Sequence, residues 1–298
     1  MTAYDWPTGL PSNFGGLEPP WSDLAAAQVA VLPVPYDFTT SYVGGTRWGP
    51  DAILAASRNM ELWDEELGPT YRCGIHTLPP MEPTARGPEA MAERVEQAVG
   101  WILDQKKVPA MLGGEHSITA GAVRAVAKRV PGLSVLQLDA HADMREEYLD
   151  SPHSHACIMR RVRDLVPATS VGIRSMSEEE ALHLRDHPVP MWSTRKFREL
   201  GGNWKPILDS LTKDVYVTFD LDALDPGILP ATGTPEPGGG HWWPTLRLLG
   251  QLFATKKVVA MDVVELAPIG GHPASDFVAA KLAYKCLGYW AKAAGLLG

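Results

Sequence analysis

Two short segments of the sequence alternate residues that can bind metal ions with small or apolar residues. Asp139, His141 and Asp143 alternate in the run Asp-Ala-His-Ala-Asp, and Asp220 and Asp222 alternate in Asp-Leu-Asp. Each run follows a short apolar stretch that is typical of a buried strand. Because successive side chains of an extended backbone point to opposite faces, the alternating residues of each run can point the same way. Each segment is therefore expected to present its ligand-type side chains on a single face.

The two segments together contain four carboxylates. If packed closely, these carboxylates would repel one another, and their pKa values would rise unless cations lay between them. An oxygen-rich set with one or two imidazoles suits Mn²⁺, whereas Fe, Co, Ni or Zn are possible and Mg²⁺ fits less well because of the histidines. Four carboxylates and two divalent cations give −4 + 4 = 0. The residue types therefore predict a binuclear metal site.

Two further polar segments also follow predicted strands. His116 ends the run Gly-Gly-Glu-His at 113–116, and Glu265 ends the run Val-Val-Glu at 263–265. Ligands of open α/β sheets bind at the carboxyl ends of the strands, where residues just after each strand meet. We therefore expect His116 and Glu265 to lie near the two aspartate-rich segments.

Short β-branched or apolar runs alternate with helical patterns along most of the chain. The predicted strands cover 29–33, 108–112, 134–138, 170–173, 189–192, 215–219 and 258–263. The predicted helices cover 89–105, 117–130, 177–186, 204–211, 244–254 and 275–294. In the last helix, apolar residues spaced three or four apart predict one stripe against the sheet, formed by Phe277, Ala280, Tyr284, Leu287 and Ala291.

This alternation is typical of a parallel sheet covered by helices on both faces. The predicted fold class is α/β, with a three-layer α/β/α arrangement and a mostly parallel sheet of about eight strands. No repeat, long charge block or Ser/Gly-rich linker interrupts residues 1–298, which favours a single domain. Residues 1–20 are predicted to form an irregular N-terminal arm, and its first dozen or so residues, rich in Pro and Gly, could pack on a neighbour.

Composition excludes several function classes. Lys and Arg number 27 and Asp and Glu 35, so the formal net charge is 27 − 35 = −8, and nucleic acid is not expected as a partner. Three widely separated cysteines argue against a disulfide framework or a cysteine-based zinc site. The chain begins without a signal-peptide pattern, and its longest uncharged stretch is shorter than the ~18 residues of a spanning helix. We expect a cytoplasmic protein that does not span a membrane.

The polar segments resemble the motifs of the ureohydrolase family, which includes arginase, agmatinase and related amidinohydrolases. The resemblance rests on Gly-Gly-Glu-His-Ser at 113–117, Asp-Ala-His-Ala-Asp at 139–143, Ser-His-Ala-Cys at 154–157, Asp-Leu-Asp-Ala-Leu-Asp-Pro at 220–226 and Val-Val-Glu-Leu-Ala-Pro at 263–268. The run 44–50 is similar to the family's early mouth-lining loop, and the run 233–239 looks most like agmatinases. The match spans nearly the whole chain and implies an arginase-like fold.

The resemblance also implies a cofactor, its ligands and an assembly. Two Mn²⁺ ions per subunit would lie at the carboxyl edge of the sheet. One ion would take His116 and Asp143, the other His141 and Asp222, while Asp139 and Asp220 would bridge both. Members of the family usually form homotrimers or homohexamers, so we expect a homo-oligomer.

The resemblance further implies hydrolysis of a guanidino group to urea and an amine. Activated water would attack the guanidinium carbon, and the leaving amine would need a proton from a general acid. By family match that acid is His155, with His153 as its rival. Asp143 would also orient the attacking group. Glu265 would bind the guanidinium, since a planar fork of N–H donors matches a carboxylate.

The segment after the second aspartate-rich motif bears on the substrate tail. Glu146, Glu147 and Asp150 would disfavour a substrate carboxylate and could stabilise a distant amine directly or through water. The favoured reaction is agmatine to putrescine and urea, or aminopropyl-agmatine to spermidine, both steps of polyamine biosynthesis. Alternatives with the same metal chemistry are arginase, guanidinobutyrase and formimidoylglutamase.

Two alternatives from other classes remain open. A single-zinc deacetylase of related fold is disfavoured by His116 occurring together with Asp139 and Asp143. A non-enzymatic binder that regulates polyamine synthesis is disfavoured because all six ligand positions are filled. The roles of His241, Trp242 and Trp243 also stay open, since these residues could wall the pocket, line a subunit interface or pack within the fold.

Overall fold

The structure, a computed structural model, describes residues 9–297. Its centre is one eight-stranded sheet in which every pair of neighbouring strands is parallel, in the order β2-β1-β3-β8-β7-β4-β5-β6. The strands are β1 (Val29–Val34), β2 (Ile75–Thr77), β3 (Val108–Gly113), β4 (Ser134–Leu138), β5 (Ala168–Ile173), β6 (Met191–Ser193), β7 (Asp214–Asp220) and β8 (Lys257–Val264). Parallel strands need crossover connections, and helices supply most of them.

The helices of the described residues lie on both faces of this sheet. They are α1 (Gly49–Ser57), α2 (Pro88–Asp104), α3 (Thr119–Ala127), α4 (Ile158–Arg163), α5 (Glu178–Asp186), α6 (Thr194–Glu199), α7 (Lys205–Asp209), α8 (Trp242–Thr255) and α9 (Ala274–Ala293). Apolar residues of α1, α6, α7, α8 and α9 belong to one core, and those of α2, α3 and α4 belong to another. Within residues 9–297, no helix is both long enough and apolar enough to cross a bilayer.

The sheet brings the four polar segments to one place. β3, β8, β7 and β4 are consecutive in the sheet, and all four run in the same direction. The segments that contain His116, Glu265, Asp222 and Asp139 follow the carboxyl ends of these four strands in that order. Their meeting at one edge is a consequence of topology, because parallel neighbours end at the same side of a sheet.

The predicted α/β fold class with a parallel sheet is confirmed, and the structure adds elements that the pattern did not predict. β2 and the helices α1, α4 and α6 were absent from the predicted elements. β2 is only three residues long, and α4 and α6 have six residues each, so none is long enough for a clear periodicity. The predicted strand at 189–192 is also shifted, since β6 covers Met191–Ser193.

The predicted apolar stripe of α9 is wrong at its first member. Phe277 is 39% exposed, whereas Ala280, Tyr284, Leu287 and Ala291 are buried. Phe277 lies in the first turn of α9, whereas the unbroken run of buried residues covers 282–289. Spacing alone does not indicate where a long helix first meets the core.

The predicted N-terminal arm lies partly outside the described residues, which begin at residue 9. Within the described part, Phe14–Gly16 form one 3-10 turn, and the Phe14 side chain is fully buried. The Phe14 ring lies 6.4 Å from that of Tyr284, centroid to centroid, so it packs on the core of its own chain.

Packing between α2 and α3 depends on a glycine. A Cβ atom added at Gly121 on α3 would lie 2.1 Å from the carbonyl oxygen of Ala92 on α2. We predict that Gly121→Ala destabilises the fold by about 1–3 kcal/mol, because the helices must separate to admit the methyl group. Gly270→Ala is the control, since no heavy atom lies within 4 Å of the Cβ position there. Urea denaturation measures both changes, and equal stability of the two variants would contradict the close contact.

Candidate metal centre

Three carboxylates surround the ring of His116 at the carboxyl edge of the sheet. The Nδ1 atom of His116 lies 3.2 Å from Asp139 Oδ2, 3.2 Å from Asp143 Oδ2 and 3.3 Å from Asp220 Oδ2. All four residues are buried. Ligand atoms of His116, Asp139 and Asp220 lie within 4.8 Å of one another, close enough to bind one ion. We call this group the first cluster.

The other nitrogen of His116 holds the ring in place. Its Nε2 lies 2.8 Å from the hydroxyl oxygen of Thr218 on β7. A neutral imidazole that donates from Nε2 presents the lone pair of Nδ1 to the carboxylates, which is the arrangement expected of a metal ligand. Nδ1 is buried without a conventional hydrogen-bond partner among the described residues. A cation bound by the first cluster would therefore give Nδ1 the partner that it lacks.

A second cluster shares one carboxylate with the first. Asp139, His141 and Asp222 place ligand atoms within 4.8 Å of one another. The Nδ1 atom of His141 lies 2.8 Å from Asp222 Oδ2 and 3.7 Å from Asp139 Oδ1. Because Asp139 belongs to both clusters, the two oxygens of one carboxylate face two adjacent sites. Oxygen donors with one imidazole per site form the kind of donor set that suits Mn²⁺ and similar ions.

Backbone amides hold the aspartates in this arrangement. Asp222 donates its N–H to Asp220 Oδ1 at 2.9 Å, and Ala140 donates its N–H to Asp222 Oδ1 at 2.9 Å. In each of these aspartates one oxygen is fixed by an amide, and Oδ2 faces a histidine of a cluster. Asp143 also has a φ of 53°, a left-handed conformation that is costly for residues other than glycine.

The buried carboxylates carry perturbed pKa values. Burial, together with the charges of Asp143 and Asp222, raises the pKa of Asp139 to about 7. Burial and the charges of Asp222 and Asp139 raise the pKa of Asp220 well above its usual range. For Asp222 burial acts in the same direction, but the contact with His141 outweighs it and lowers the pKa. The edge of the sheet therefore concentrates negative charge that needs protons or cations.

The histidines hold protons when cations are absent. Burial opposes the charged form of His141, but Asp222 and Asp139 outweigh it and raise its pKa to about 11. His116 shows the same balance, and its three carboxylates raise its pKa well above the ordinary value. Divalent cations would replace these protons, because both bind the same atoms.

Glu265 joins the clusters from β8. Its Oε1 accepts the backbone N–H of His116 at 2.6 Å, and its φ is 67°. Burial, followed by the charge of Glu115, raises the pKa of Glu265 well above its usual range. Two of the site residues, Asp143 and Glu265, thus have left-handed backbones, which is common where a chain positions functional groups.

A cavity of about 220 Å³ opens above the clusters. Its walls include the predicted site residues His141, Asp143, His155, Asp220, Asp222 and Glu265. The remaining walls come from residues 40–43, Arg145, Tyr148, 175–177, Glu180 and 233–234. Four of the six predicted ligands, His155 and Glu265 therefore line one cavity. The other two ligands, His116 and Asp139, contact them but are not part of its walls.

The structure distinguishes the two candidate general acids. His155 lines the cavity, and burial lowers its pKa although the charge of Asp143 acts in the opposite direction. His153 points elsewhere, with its Nε2 lying 3.7 Å from Glu89 Oε1 at the start of α2. Of these two histidines, only His155 lines the cavity.

The structure does not bring the predicted substrate-tail residues to the cavity. Glu146 pairs with Arg160 and Arg161 at 3.0 and 2.8 Å, and these contacts hold its carboxylate outside. Glu147 and Asp150 are exposed and do not line the cavity either. The sequence shows these three acids and the arginines of α4, but not that two of the arginines pair with Glu146.

Other residues line the cavity where those acids were expected. Arg145 stacks over the ring of Tyr148, with its Cζ 4.8 Å from the ring centroid, and its Nε lies 3.9 Å from Glu180 Oε2. Glu180 is buried and caps α5 by accepting the N–H of Ser177 at 2.7 Å. The sequence indicated Glu180 only as half of a capping box. Its position in the cavity wall depends on the packing of α5 beside the sheet edge.

His241, Trp242 and Trp243 mark the start of α8. His241 precedes its first residue, Trp242 is partly buried against the core, and Trp243 is 53% exposed. None of the three lines the cavity. Trp242 therefore packs within the fold, one of the three roles considered for these residues, whereas the structure assigns no role to His241 or Trp243.

Comparison with known proteins agrees with this geometry. The sequence profile of the Arginase family matches residues 27–288. The chain belongs to the arginase family. A protein of Synechocystis named N(1)-aminopropylagmatine ureohydrolase is 41% identical over 276 residues, which cover 89% of this chain and 90% of that protein. A protein of Thermus thermophilus with the same name is 38% identical, covering 95% of this chain and 96% of that protein.

A solved structure of the family has the same fold. The agmatine ureohydrolase of Thermoplasma volcanium superimposes with a TM-score of 0.85 at 32% identity, covering 95% of both chains. These findings confirm the predicted family and support the predicted enzyme class, a hydrolase of C–N bonds in linear amidines. Family fold and paired Asp/His clusters together imply a binuclear metal site.

The shared aspartate yields a first prediction for this site. Asp139→Asn should reduce the bound metal from two ions to less than one per chain, because both clusters lose an anionic oxygen ligand. Asp225→Asn is a matched control, since Asp225 lies in the same segment as Asp222 but accepts backbone N–H groups from Gly227, Gly238 and Gly239. Mass spectrometry of metals after desalting gives the stoichiometry. Retention of two ions by Asp139→Asn would contradict the shared ligand.

The raised pKa values yield a second prediction. Near pH 7 the metal-free clusters hold protons, because the pKa of Asp139 is about 7 and that of His141 about 11. Binding must release these protons, so Mn²⁺ affinity should rise from pH 6 to pH 8 by about tenfold per pH unit for each proton released. Calorimetric titration in two buffers of different ionisation enthalpy counts the protons. An affinity that does not change with pH would be incompatible with these shifts.

Proposed function

We propose that this protein hydrolyses the guanidino group of a small cationic guanidine with an amine tail, giving urea and the free amine. The observation that carries the proposal is the pair of Asp/His clusters that share Asp139, with His141, Asp220 and Asp222 of these clusters lining the cavity. A shared ligand favours two adjacent ions, and a single-zinc hydrolase would not need the second cluster.

The proposed metal is Mn²⁺, held by the five residues that form the two clusters together with Asp143. His116 and Asp143 would serve one ion, His141 and Asp222 the other, and Asp139 and Asp220 both. When bound, a pair of divalent cations supplies the Lewis acidity that makes water nucleophilic at neutral pH. Asp143 lines the cavity and would also accept a hydrogen bond from the attacking water and orient it.

Glu265 is the proposed partner of the guanidinium group. It lines the cavity, its side chain is buried, and one of its oxygens is already fixed by the amide of His116. The other oxygen is available to an N–H of a planar cation, and burial makes such a charge-assisted hydrogen bond stronger than it would be in water. This contact would hold the guanidinium carbon above the clusters.

His155 is the proposed proton donor to the leaving amine. The C–N bond to the tail breaks readily only if the leaving nitrogen gains a proton, because a free amide anion is a poor leaving group. His155 lines the same cavity as Glu265, and its lowered pKa makes the imidazolium a stronger acid than a free imidazolium. Its position in the cavity wall and its lowered pKa both support this role.

The proposed tail ends in an amine. Two close relatives are named N(1)-aminopropylagmatine ureohydrolase, and the solved relative is an agmatine ureohydrolase. We therefore place N(1)-aminopropylagmatine first and agmatine second. Since Glu146, Glu147 and Asp150 lie outside the cavity, contacts with the tail would come from the groups that line it: Ser41, Ser175, Ser177, Thr234 and the carboxylate of Glu180.

One observation favours a second candidate, a guanidine with a carboxylate tail such as arginine or guanidinobutanoate. Arg145 lines the cavity, and an arginine fork is suited to a carboxylate. Its charge is directed towards Glu180 and the ring of Tyr148, however, so it is already partly compensated. This compensation keeps the amine tail in first place.

Further proposals rest on the family resemblance. We propose that residues 1–298 form a single domain, that the protein assembles as a homotrimer or homohexamer, and that it works in the cytoplasm. Polyamine biosynthesis is the proposed setting, because putrescine or spermidine would be the amine product.

Urea release from a panel of guanidines after Mn²⁺ loading tests the function. N(1)-aminopropylagmatine or agmatine should exceed arginine and guanidinobutanoate by about 10- to 100-fold in kcat/KM, the range expected of one charge-assisted contact. Arg145→Gln should leave the amine-tailed substrates unchanged or improve them, since it removes a positive charge from the cavity. A preference for a carboxylate tail that Arg145→Gln abolishes would establish the second candidate, and release of formamide alone would exclude both.

A further inference from the structure

A threonine links His155 to a buried glutamate that the sequence analysis left without a role. The hydroxyl of Thr39 donates to Glu115 Oε1 at 2.8 Å, and the backbone N–H of Thr39 donates to Glu115 Oε2 at 2.5 Å. On its other side, the same hydroxyl oxygen accepts the backbone N–H of His155 at 3.0 Å and lies 3.2 Å from His155 Nδ1. Glu115 is completely buried.

The direction of these hydrogen bonds fixes the ring of His155. A hydroxyl has one proton, and the proton of Thr39 is committed to Glu115. The oxygen of Thr39 can therefore only accept a hydrogen bond from His155 Nδ1, so Nδ1 must carry a hydrogen. This order holds while Glu115 is ionised, because its oxygens then carry no proton and also accept the hydroxyl of Ser117. Burial raises the pKa of Glu115 to about 7, so the order applies above that pH.

We propose that Glu115 and Thr39 are positioning residues that hold His155 in the form protonated at Nδ1, which leaves Nε2 as the atom that transfers the proton. The inference rests on the proposed function, in which His155 protonates the leaving amine. In that step the Nε2–H bond breaks, the electron pair stays on Nε2, and a new N–H bond forms on the leaving nitrogen. The Nδ1–H hydrogen bond to Thr39 persists, so the ring need not turn between its charged and neutral forms.

The other neighbours of the ring are compatible with this assignment. The hydroxyl of Ser154 lies 3.4 Å from Nδ1, further than that of Thr39, and the hydroxyl of Ser41 lies 3.5 Å from Nε2. The ring of Tyr148 meets the imidazole edge-on with centroids 6.1 Å apart. Apart from Thr39 and Ser154, no described side chain hydrogen-bonds Nδ1. Thr39 is therefore the nearer partner of Nδ1, and the direction of its hydrogen bond is set by Glu115.

Substitution of Thr39 tests the positioning role by kinetics. Thr39→Val keeps the shape of the side chain but removes the acceptor, so kcat should fall about 10- to 100-fold while KM and metal content stay within about twofold. Thr39→Ser restores the hydroxyl and should restore most of kcat. Thr255→Val is the matched control, because Thr255 is an exposed threonine at the end of α8, towards the opposite edge of the sheet.

Nitrogen NMR tests the proton's position without any turnover. At pH 8, where Glu115 is ionised, protein labelled with ¹⁵N-histidine and loaded with diamagnetic Zn²⁺ should show His155 protonated at Nδ1, the signal being assigned by its loss in His155→Gln. Thr39→Val should mix the two neutral forms. Glu115→Gln should favour Nε2–H, because an amide NH₂ facing Thr39 would donate to its hydroxyl and free that proton for Nδ1.

The outcomes separate this inference from the proposed function. If the wild-type protein releases urea from no guanidine, the proposed function fails, and the NMR spectrum still decides the state of His155. If the wild type shows Nε2–H, or if Thr39→Val retains full kcat and an unchanged His155 spectrum, the positioning role is wrong. Should Thr39→Val fail to fold, the wild-type and Glu115→Gln spectra are sufficient for the decision.

Discussion

The structure depends on crowding negative charge at one edge of a buried sheet. Asp139, Asp143, Asp220 and Asp222 are all buried within contact distance of two histidines. Such a group is unfavourable unless positive charge is added, and the raised pKa values of Asp139 and Asp220 express that cost. Cations bound between the carboxylates and the histidines would offset this repulsion. The same buried carboxylates therefore both destabilise this edge of the metal-free sheet and form the proposed metal site.

The parallel sheet makes this crowding possible. Four adjacent strands end at one edge, and carboxylates accept backbone N–H groups in three of the four segments that follow them. Left-handed residues at Asp143 and Glu265 turn the chain sharply after the strands. Thr218 then holds the ring of His116, and Glu115 holds His155, which lines the cavity, through Thr39. Rigid strands thus support a site made largely of loop residues.

The sequence could predict the edge of the sheet at which Asp139, His141 and Asp143 lie, because these residues follow an apolar run. The predicted extended backbone is wrong, since β4 ends at Leu138, Asp143 has a left-handed backbone and Asp222 lies in a 3-10 turn. Contacts between distant segments could not be predicted. Thr39 meets Glu115 across 76 residues of chain, and Glu146 is drawn away by the arginines of α4. Short elements such as β2 have too few residues for a period to be visible. Local patterns predicted which residues gather at the edge of the sheet, whereas tertiary packing decides which neighbours orient them.

The central claim is that two cations occupy adjacent sites that share the carboxylate of Asp139. Crystals of the Mn²⁺-loaded protein, measured on both sides of the manganese absorption edge, test it most directly through anomalous difference density. The account predicts two peaks, one beside His116 and one beside His141, with Asp139 bound to both. A single peak, or ions bound away from these side chains, would contradict it.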